Sequence, residues 1–491
     1  MKARVLLINP PTSRDQFIGS DNYFPLGLLS LATVLKNNNI DAKIIDVNNY
    51  YFNKEFNKSM LDDYIENVIY SFIRNYNPDI IGIGCIFSGA FSNLKLIACE
   101  VKKNSPHLPV VIGGIHPTIF AKDILKKYLY IDYVIIGEGE YSFLALVKSL
   151  LIQSDDYKNI DGIAYRLNGD VVVNPKTSFI ENLDELPFVD YDILDEEYSM
   201  GTSGWYSPKN IQVGQPYPII TSRSCPNRCT FCNMWLVHGP RFRPRSPEHV
   251  LDEMQHLYEK RNARYFQFMD DNLTYDKQRI LEICRGIKER GMNIQFDTPN
   301  GVAISRLDEE VIDAMIDAGM VRISIAIESG SEYIRNKVMR KGLTTEKIYE
   351  VVKACAEYPN LFINAFFIIG MPQETSETLQ DTHDIISSLP FDKYALSFAT
   401  PYPGTELFTY CINHNLLPHK IEEYVDIGNL QGRSDFPHFE PHEVTIEELV
   451  TFQKKCQNYL MEKRKKSPYP SNYPFRYVGE SYDQKLCIET Q

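Results

Sequence analysis

Three cysteines stand within eight residues, Ser224-Cys225-Pro-Asn-Arg-Cys229-Thr-Phe231-Cys232, spaced C-x3-C-x2-C. The other seven, at 85, 99, 284, 355, 411, 456 and 487, are scattered singly. A lone cysteine usually serves as a small buried hydrophobe, whereas a tight group in a reducing compartment binds metal more readily than it forms disulfides. Three readings compete for the cluster. Zinc favours four protein ligands in a structural site, and His238 would complete a Cys3His set. Coincidence is the second. The third is an iron–sulfur cluster held by three thiolates. It leaves one iron open to bind and polarise a substrate, so that three cysteines are a chemical feature rather than a deficit.

A second set of residues suits ligand binding without metal ligation. Asn9-Pro10-Pro11, Gly82-Ile-Gly84-Cys85, Gly113-Gly114-Ile-His116 and Gly137-Glu138-Gly139-Glu140 each follow a short continuous apolar run. The runs are 4–8, 79–84, 110–112 and 133–136, with a further run at 42–47. Helical spacing intervenes at 27–35, 93–103 and from 140 to Leu151. Buried strands alternating with helices predict a parallel sheet covered on both faces. Such sheets bind ligands beyond the carboxyl ends of their strands, where glycine permits close backbone approach. A large ligand, flat or tailed, would span several of these loops. Neither G-x-G-x-x-G after the first strand nor G-x-x-x-x-G-K-[ST] occurs, so NAD and nucleotide triphosphates lose support.

These elements must be positioned by a chain of 491 residues, enough for about three domains. A hairpin is predicted at 162–173 around Asn168-Gly169, followed by an extended connector at 183–191 and a flexible loop at 201–204. A domain boundary falls inside 155–210. Towards the C-terminus a helix is expected to about Lys466, with Thr445 and Glu448 as a capping box. The aromatic, proline-rich stretch 469–477 reads equally as a cover for a substrate pocket or a surface tail. Fifty-one Lys and Arg against 64 Asp and Glu leave a net charge of −13. That balance disfavours a dedicated nucleic-acid binder. No apolar run approaches the ~20 residues of a membrane span, and the N-terminal run is too short for a signal peptide. The reading is a cytoplasmic protein.

The cysteine motif, with Phe231 before its last cysteine, resembles the signature of the radical SAM superfamily. The resemblance continues through 264–272 (Arg-Tyr-Phe-Gln-Phe-Met-Asp270-Asp271-Asn272), 323–331 (with Glu328-Ser329-Gly330), 366–375 (with Gly370-Met-Pro-Gln-Glu374) and Pro401-Tyr-Pro-Gly404-Thr405. The first third resembles the cobalamin-binding domain that precedes the catalytic domain in cobalamin-dependent radical SAM enzymes. It does so at Asn9-Pro10-Pro11, Pro25-Leu-Gly-Leu-Leu-Ser-Leu-Ala32, Gly113-Gly114-Ile-His116-Pro117 and Gly137-Glu138-Gly-Glu140. The D-x-H-x-x-G motif that supplies a cobalt-ligating histidine in other cobalamin proteins is absent. His116 reads as a hydrogen-bonding loop residue rather than a cobalt ligand.

The resemblance implies an α/β fold: an N-terminal Rossmann-like parallel sheet domain (1–155), a connector with the hairpin (156–210), a partial (β/α)6 TIM-like barrel (211–418), and a mostly helical C-terminal segment (419–491). It implies that Cys225, Cys229 and Cys232 hold a 4Fe-4S cluster. S-adenosylmethionine (SAM) would meet Phe231, Asp270, Asp271, Glu328, Ser329 and Gly370. One of the two aspartates would instead cap the next helix, and Gly370 would offer backbone to adenine. Arg340 reads as a surface helix residue. Cobalamin would meet Asn9, Pro10, Pro11, Gly84, Cys85, Ile86, Phe87, Gly113, Gly114, His116, Gly137 and Glu138. The implied activity is C-methylation of an unactivated carbon. One SAM would methylate the corrinoid, and a second would yield a 5′-deoxyadenosyl radical that activates a small-molecule substrate. Flavodoxin or ferredoxin would supply electrons. The alternatives are a cyclase, ring-contracting or oxidative enzyme with the same cofactors, a non-catalytic corrinoid or metal sensor, and a zinc-stabilised binding protein.

Overall fold

The computed structural model describes residues 3–11, 24–51, 62–86, 88–194, 215–417, 424–426 and 437–465. Phe87, the loop 201–204 and the stretch 469–477 lie outside them.

The first sheet is built from β1 (Arg4–Asn9), β2 (Asp41–Asp46), β3 (Ile80–Gly84), β4 (Val110–Gly113) and β5 (Tyr133–Ile135), all parallel, in the order β2-β1-β3-β4-β5. Alternation along β1 assigns the two faces. Val5 and Leu7 share a core with Leu28, Leu29, Leu146 and Val147, from the helices Leu26–Asn37 and Glu140–Leu151. Leu6 and Ile8 share another with Leu94, Ile97 and Ile124, from the helices Phe91–Asn104 and Ile115–Lys127. The period-2 side-chain direction of a strand thus divides one apolar run between two helical layers. Strand order reverses between β1 and β3, which makes the loops after them the switch point where ligands bind in such sheets.

The predicted hairpin forms as β6 (Ile163–Leu167) and β7 (Asp170–Asn174). Asn168 and Gly169 have φ of 52° and 92°, the left-handed pair a tight hairpin turn requires. β6 pairs antiparallel with β5, so the hairpin extends the N-terminal sheet past residue 155 and is not a separate connector.

The second sheet begins at β8 (Pro216–Ile219). A two-stranded ribbon, β9 (Ser222–Arg223) with β10 (Arg243–Pro244), then brackets the cysteine loop. The sheet continues through β11 (Tyr265–Phe268), β12 (Gln295–Val302), β13 (Met320–Glu328), β14 (Phe362–Ile369) and β15 (Lys393–Phe398). All six strands are parallel and in sequence order, with helices Pro247–Lys260, Lys277–Glu289, Glu309–Asp317, Thr345–Ala356 and Ser376–Ser388 between them. This is the expected partial barrel, whose functional groups belong at the carboxyl ends of its strands.

Three aromatic rings join the two units. Tyr191, on the connector, meets Phe24 edge-on at 4.8 Å and Tyr217 of β8 at 5.5 Å, and its hydroxyl donates to the Pro218 carbonyl. The C-terminal helix Ile446–Lys465 packs along β14 and β15, burying Leu449 against Ile369 and Phe398. Its capping box is present. The Thr445 N–H donates to Glu448 at 2.9 Å, and the Glu448 N–H donates to the Thr445 hydroxyl at 3.2 Å. Among the described residues no helix is long and apolar enough to cross a membrane.

Candidate active site

The cysteine loop leaves β9 through Ser224, whose φ is +70° and whose hydroxyl donates to the Gly239 carbonyl. Thr230, between the second and third cysteines, pins the loop to the segment after β13. Its N–H donates to Met339 O at 3.1 Å, its hydroxyl to Val338 O at 2.9 Å, and its carbonyl accepts from Leu407 N. Cys225, Cys229 and Cys232 are partly exposed, whereas Cys85, Cys284, Cys355, Cys411 and Cys456 are buried. Burial pushes the Cys229 thiol up to about 12 and raises Cys232 as well. Thiolates in that setting need a cationic partner, and bound iron provides one. His238, the fourth ligand of the zinc reading, places Nδ1 2.8 Å from Asp271 instead. Among the described residues no three His, Cys, Asp or Glu side chains form a single-ion site.

The strand ends sort the expected SAM residues. Asp270 is 2% exposed, and its carboxylate accepts from Thr221 N at 3.2 Å, from the Thr221 hydroxyl at 2.7 Å and from the Ser222 hydroxyl. It stitches β11 to the segment before the cysteines and has no free face for SAM. Asp271 accepts from Ser224 N at 2.9 Å as well as facing His238. Neither caps the next helix; Asp276 does, accepting from Arg279 N. Glu328 ends β13 with φ of +72° and is 7% exposed. Its Oε1 accepts from Lys341 Nζ at 2.8 Å. The Ser329 hydroxyl is buried and accepts from Ser331 N at 3.2 Å. The Gly370 N–H donates to Glu374, so the backbone that Gly370 offers a ligand is its carbonyl. Phe231 packs against the cluster of Met371, Met339 and Leu407, which brings the cysteine loop beside the end of β14. Arg340 is exposed and pairs with Glu406 at 2.7 Å, with φ of 58° that takes it off any helix.

Sequence reasoning quoted Asn272 and Glu374 without a role and passed over Lys341 and Arg335. Asn272 is 2% exposed and directs Nδ2 to Cys225 Sγ at 3.3 Å. Burial pushes the Glu374 carboxyl up to about 8, against two backbone N–H donors. Lys341 sits beside Cys229 and Cys225 as well as Glu328. Arg335 is fully buried and holds the loop carrying both charges. Its guanidinium donates to the carbonyls of Ser329 at 2.6 Å and Leu343 at 2.7 Å, and its own carbonyl accepts from Lys341 N.

In the N-terminal sheet the loops after β1, β3 and β4 adjoin. Asn93 Nδ2 donates to Pro11 O, and Cys85 N donates to Gly113 O at 2.8 Å. Gly114 has φ of +113°, and a Cβ there would lie 2.3 Å from the Cys85 carbonyl oxygen. Only glycine allows that approach. Asn9 donates to Asp46 at 2.9 Å. Cys85 is buried and its thiol is raised by desolvation, which disfavours it as a cobalt ligand. His116 is 1% exposed with both ring nitrogens engaged, Nδ1 on the Ser88 hydroxyl at 3.0 Å and Nε2 on the Val425 carbonyl at 3.1 Å. Burial pushes it down to about 4. It is a structural histidine in the first turn of the helix Ile115–Lys127 rather than in a loop, and its engaged ring nitrogens disfavour cobalt ligation. Ile86, by contrast, is 53% exposed at the mouth between these loops.

The loop after β5 does something else. Glu138 is buried in a bidentate pair with Arg243, also accepts from Ile180 N at 3.1 Å, and lies 3.2 Å from Arg223. Glu140 takes Arg223 at 2.5 Å and the Ser30 hydroxyl at 2.9 Å. Gly137, with φ of +72°, packs on Lys176 and the Val237 carbonyl. Expected as corrinoid contacts, Gly137 and Glu138 instead tie the N-terminal sheet to the ribbon around the cysteine loop.

Comparison with known proteins agrees with this arrangement. The model of the radical SAM superfamily matches residues 219–386, and that of the B12 binding domain matches residues 20–147. The chain is 32% identical over 417 residues to the uncharacterized methyltransferase PH0819 of Pyrococcus horikoshii, covering 84% of each chain. It is 30% identical to the cytidylyl-2-hydroxyethylphosphonate methyltransferase of Streptomyces wedmorensis, covering 84% of this chain and 82% of that one. The chain belongs to the cobalamin-dependent radical SAM enzymes. Its fold is shared with the radical SAM methyltransferase TsrM from Kitasatospora setae, a structure with cobalamin and a 4Fe-4S cluster bound. That match has a TM-score of 0.66 at 19% identity, covering 84% of this chain and 75% of that one.

The residues of this cobalamin-dependent radical SAM enzyme fit both groups. Three partly exposed thiols in one loop, two of them raised by burial and the third facing an N–H donor, suit a cluster. A glycine-lined mouth with an exposed isoleucine suits the flat apolar face of a corrin. The enzyme is a radical SAM methyltransferase using a 4Fe-4S cluster, SAM and cobalamin.

Proposed function

We propose that this methyltransferase acts on an unactivated carbon of a small-molecule substrate, in the cytoplasm, with flavodoxin or ferredoxin as electron donor. The observation that carries the reading is the tie between Glu138 and Glu140, which follow β5, and Arg223 and Arg243 of the ribbon around the cysteine loop. It holds the loops of the B12-binding sheet against the cysteine loop. When bound, the cluster supplies the electron that opens the SAM sulfonium, and the corrinoid supplies the methyl carrier.

The chain's own groups do the positioning. Cys225, Cys229 and Cys232 hold the iron. Glu328, at a strand end, accepts hydroxyl hydrogens from the ribose, and Lys341 Nζ donates to its Oε1 and holds it in place. Phe231 and the Gly370 carbonyl flank the adenine side. Asp271 faces the amino group, while Asp270 fixes the loop behind it. The loops at Asn9–Pro11, Gly84–Ile86 and Gly113–Gly114 cradle the corrin. Water is excluded by packing of the C-terminal helix along β14 and β15.

Anaerobic reconstitution tests the proposal. Cys225→Ala is expected to lose iron, sulfide and 5′-deoxyadenosine together; retained deoxyadenosine overturns the cluster assignment. With SAM deuterated at the methyl group, label appears in the product. Turnover without label rejects methyl transfer.

A further inference from the structure

We propose that Asn272 is a positioning residue that sets the reduction potential of the cluster, by donating its carboxamide N–H to the sulfur of Cys225. The inference rests on the reading that Cys225, Cys229 and Cys232 hold that cluster.

Asn272 lies in the loop after β11, 2% exposed, with Nδ2 3.3 Å from Cys225 Sγ. Its Oδ1 is buried without a hydrogen-bond partner among the described residues. A buried orphan carbonyl is unfavourable, and an apolar residue would avoid it. A carboxamide can present either end, but a thiolate accepts only the N–H; the reversed amide would set two negative atoms against each other. The orphan oxygen is thus the consequence of orienting the donor toward sulfur.

The two preceding residues fix that contact. Asp270 clamps Thr221 and Ser222, and Asp271 clamps Ser224 N, all in the segment just before Cys225. Thr274, two residues on, donates to the Ala303 carbonyl. The amide is held from both sides and does not follow the sulfur passively. Cys232 receives a backbone N–H, from Met234, which any residue but proline supplies. At Cys225 the donor is a side chain, so the sequence controls it.

Hydrogen bonds to cluster sulfurs stabilise the more negative, reduced state and raise the potential. One-electron reduction adds the charge to the cluster, so a donor at Cys225 is stronger after the electron arrives than before. Asn272 thereby makes the cluster easier for an external donor to reduce.

The test is a redox titration of the reconstituted full-length enzyme followed by electron paramagnetic resonance, with dithionite as reductant. Asn272→Leu is expected to lower the reduced-to-oxidised ratio at the wild-type midpoint about tenfold, equivalent to ~1.4 kcal/mol. Asn272→Gln, which keeps a donor, should recover most of it. A Leu variant with full iron and sulfide at the wild-type midpoint overturns the proposal. If the Leu variant takes up too little iron, Asn272→Ser decides, because its hydroxyl is too short to bridge to sulfur. A lowered midpoint supports the proposal, and an unchanged one overturns it. Failure of the underlying reading looks different: iron and sulfide would then persist in Cys225→Ala.

Discussion

Arg243 and Glu138 meet as a bidentate pair, Nη1 to Oε2 at 3.0 Å, with side chains 6% and 2% exposed. One belongs to the ribbon around the cysteine loop and the other to the B12-binding sheet. Arg223, two residues before Cys225, reaches Glu138 and Glu140 together. Two acids and two bases are therefore enclosed between the segment after β5 and the ribbon around the cysteine loop. Burial of such a group is unfavourable unless every charge is paired, so the network specifies one docking of the two sheets.

Removing one charge leaves its partner stranded. Glu138→Gln should destabilise the fold by about 3–5 kcal/mol, since Arg243 then has no ion partner for its buried guanidinium. Urea denaturation measures it. The double variant Glu138→Gln, Arg243→Met should recover part of the loss; two purely additive losses would show that the pair does not interact.

The same network gives an acid limit. Burial alone would raise the Glu140 carboxyl, but the charge and hydrogen bond of Arg223 and the Ser30 hydroxyl outweigh it and hold it at about 2. A carboxylate held below its unfolded value near ~4.3 contributes stability that is complete above that value. The contribution is lost as pH falls toward 2, and it amounts to about 3 kcal/mol. Asp426, gripped by Lys95, Lys127 and Tyr128 against its own desolvation, is shifted the same way. Stability should therefore rise with pH between about 2 and 4.5. Glu140→Gln should flatten, but not abolish, that rise. An unchanged slope in the variant would remove Glu140 from the account.

Much of this architecture is legible in the residues, and the exceptions have a common cause. β1, β3 and β4 are continuous apolar runs because helices cover both their faces, and the hairpin announces itself through Asn168-Gly169. β12 carries Asp297, Pro299 and Asn300, so it lacks the apolar signal and is found only through its pairing with β11 and β13. Cys225, Cys229 and Cys232 are adjacent in sequence and identify themselves. Glu138 and Arg243 are 105 residues apart, and nothing local distinguishes a glutamate that docks a domain from one that contacts a ligand. Lys341 reaches Glu328 only because Arg335 folds the intervening loop back on itself. His116 sits at a strand end where a ligand residue would be, yet its partners Ser88 and Val425 come from elsewhere in the chain.

Gly114 offers a test of the corrinoid side alone. At φ of +113° with the Cys85 carbonyl 2.3 Å from a would-be Cβ, Gly114→Ala must open the contact between the loops after β3 and β4. A strained positive φ of this kind is destabilising by about 1–3 kcal/mol. The expected result is weakened cobalamin retention on gel filtration with iron and sulfide content unchanged. Full retention of cobalamin would show that these loops do not form its cradle.

Lys341 tests the SAM side. Its ammonium, 14% exposed, pairs with Glu328 Oε1 at 2.8 Å and lies beside Cys229 and Cys225. Burial would lower its pKa, but the charge of Glu328 outweighs that and keeps the ammonium protonated. Lys341→Met leaves the buried Glu328 carboxylate without its ammonium partner. Without that donor the Glu328 carboxylate is no longer held in place to accept from ribose hydroxyls. SAM affinity should fall roughly tenfold, ~1.4 kcal/mol, by equilibrium dialysis. Lys341→Arg, which keeps the cation, should stay close to the native affinity. If Met and Arg variants bind SAM equally well, the ammonium does not act through Glu328, and the assignment of Glu328 to the ribose loses its support.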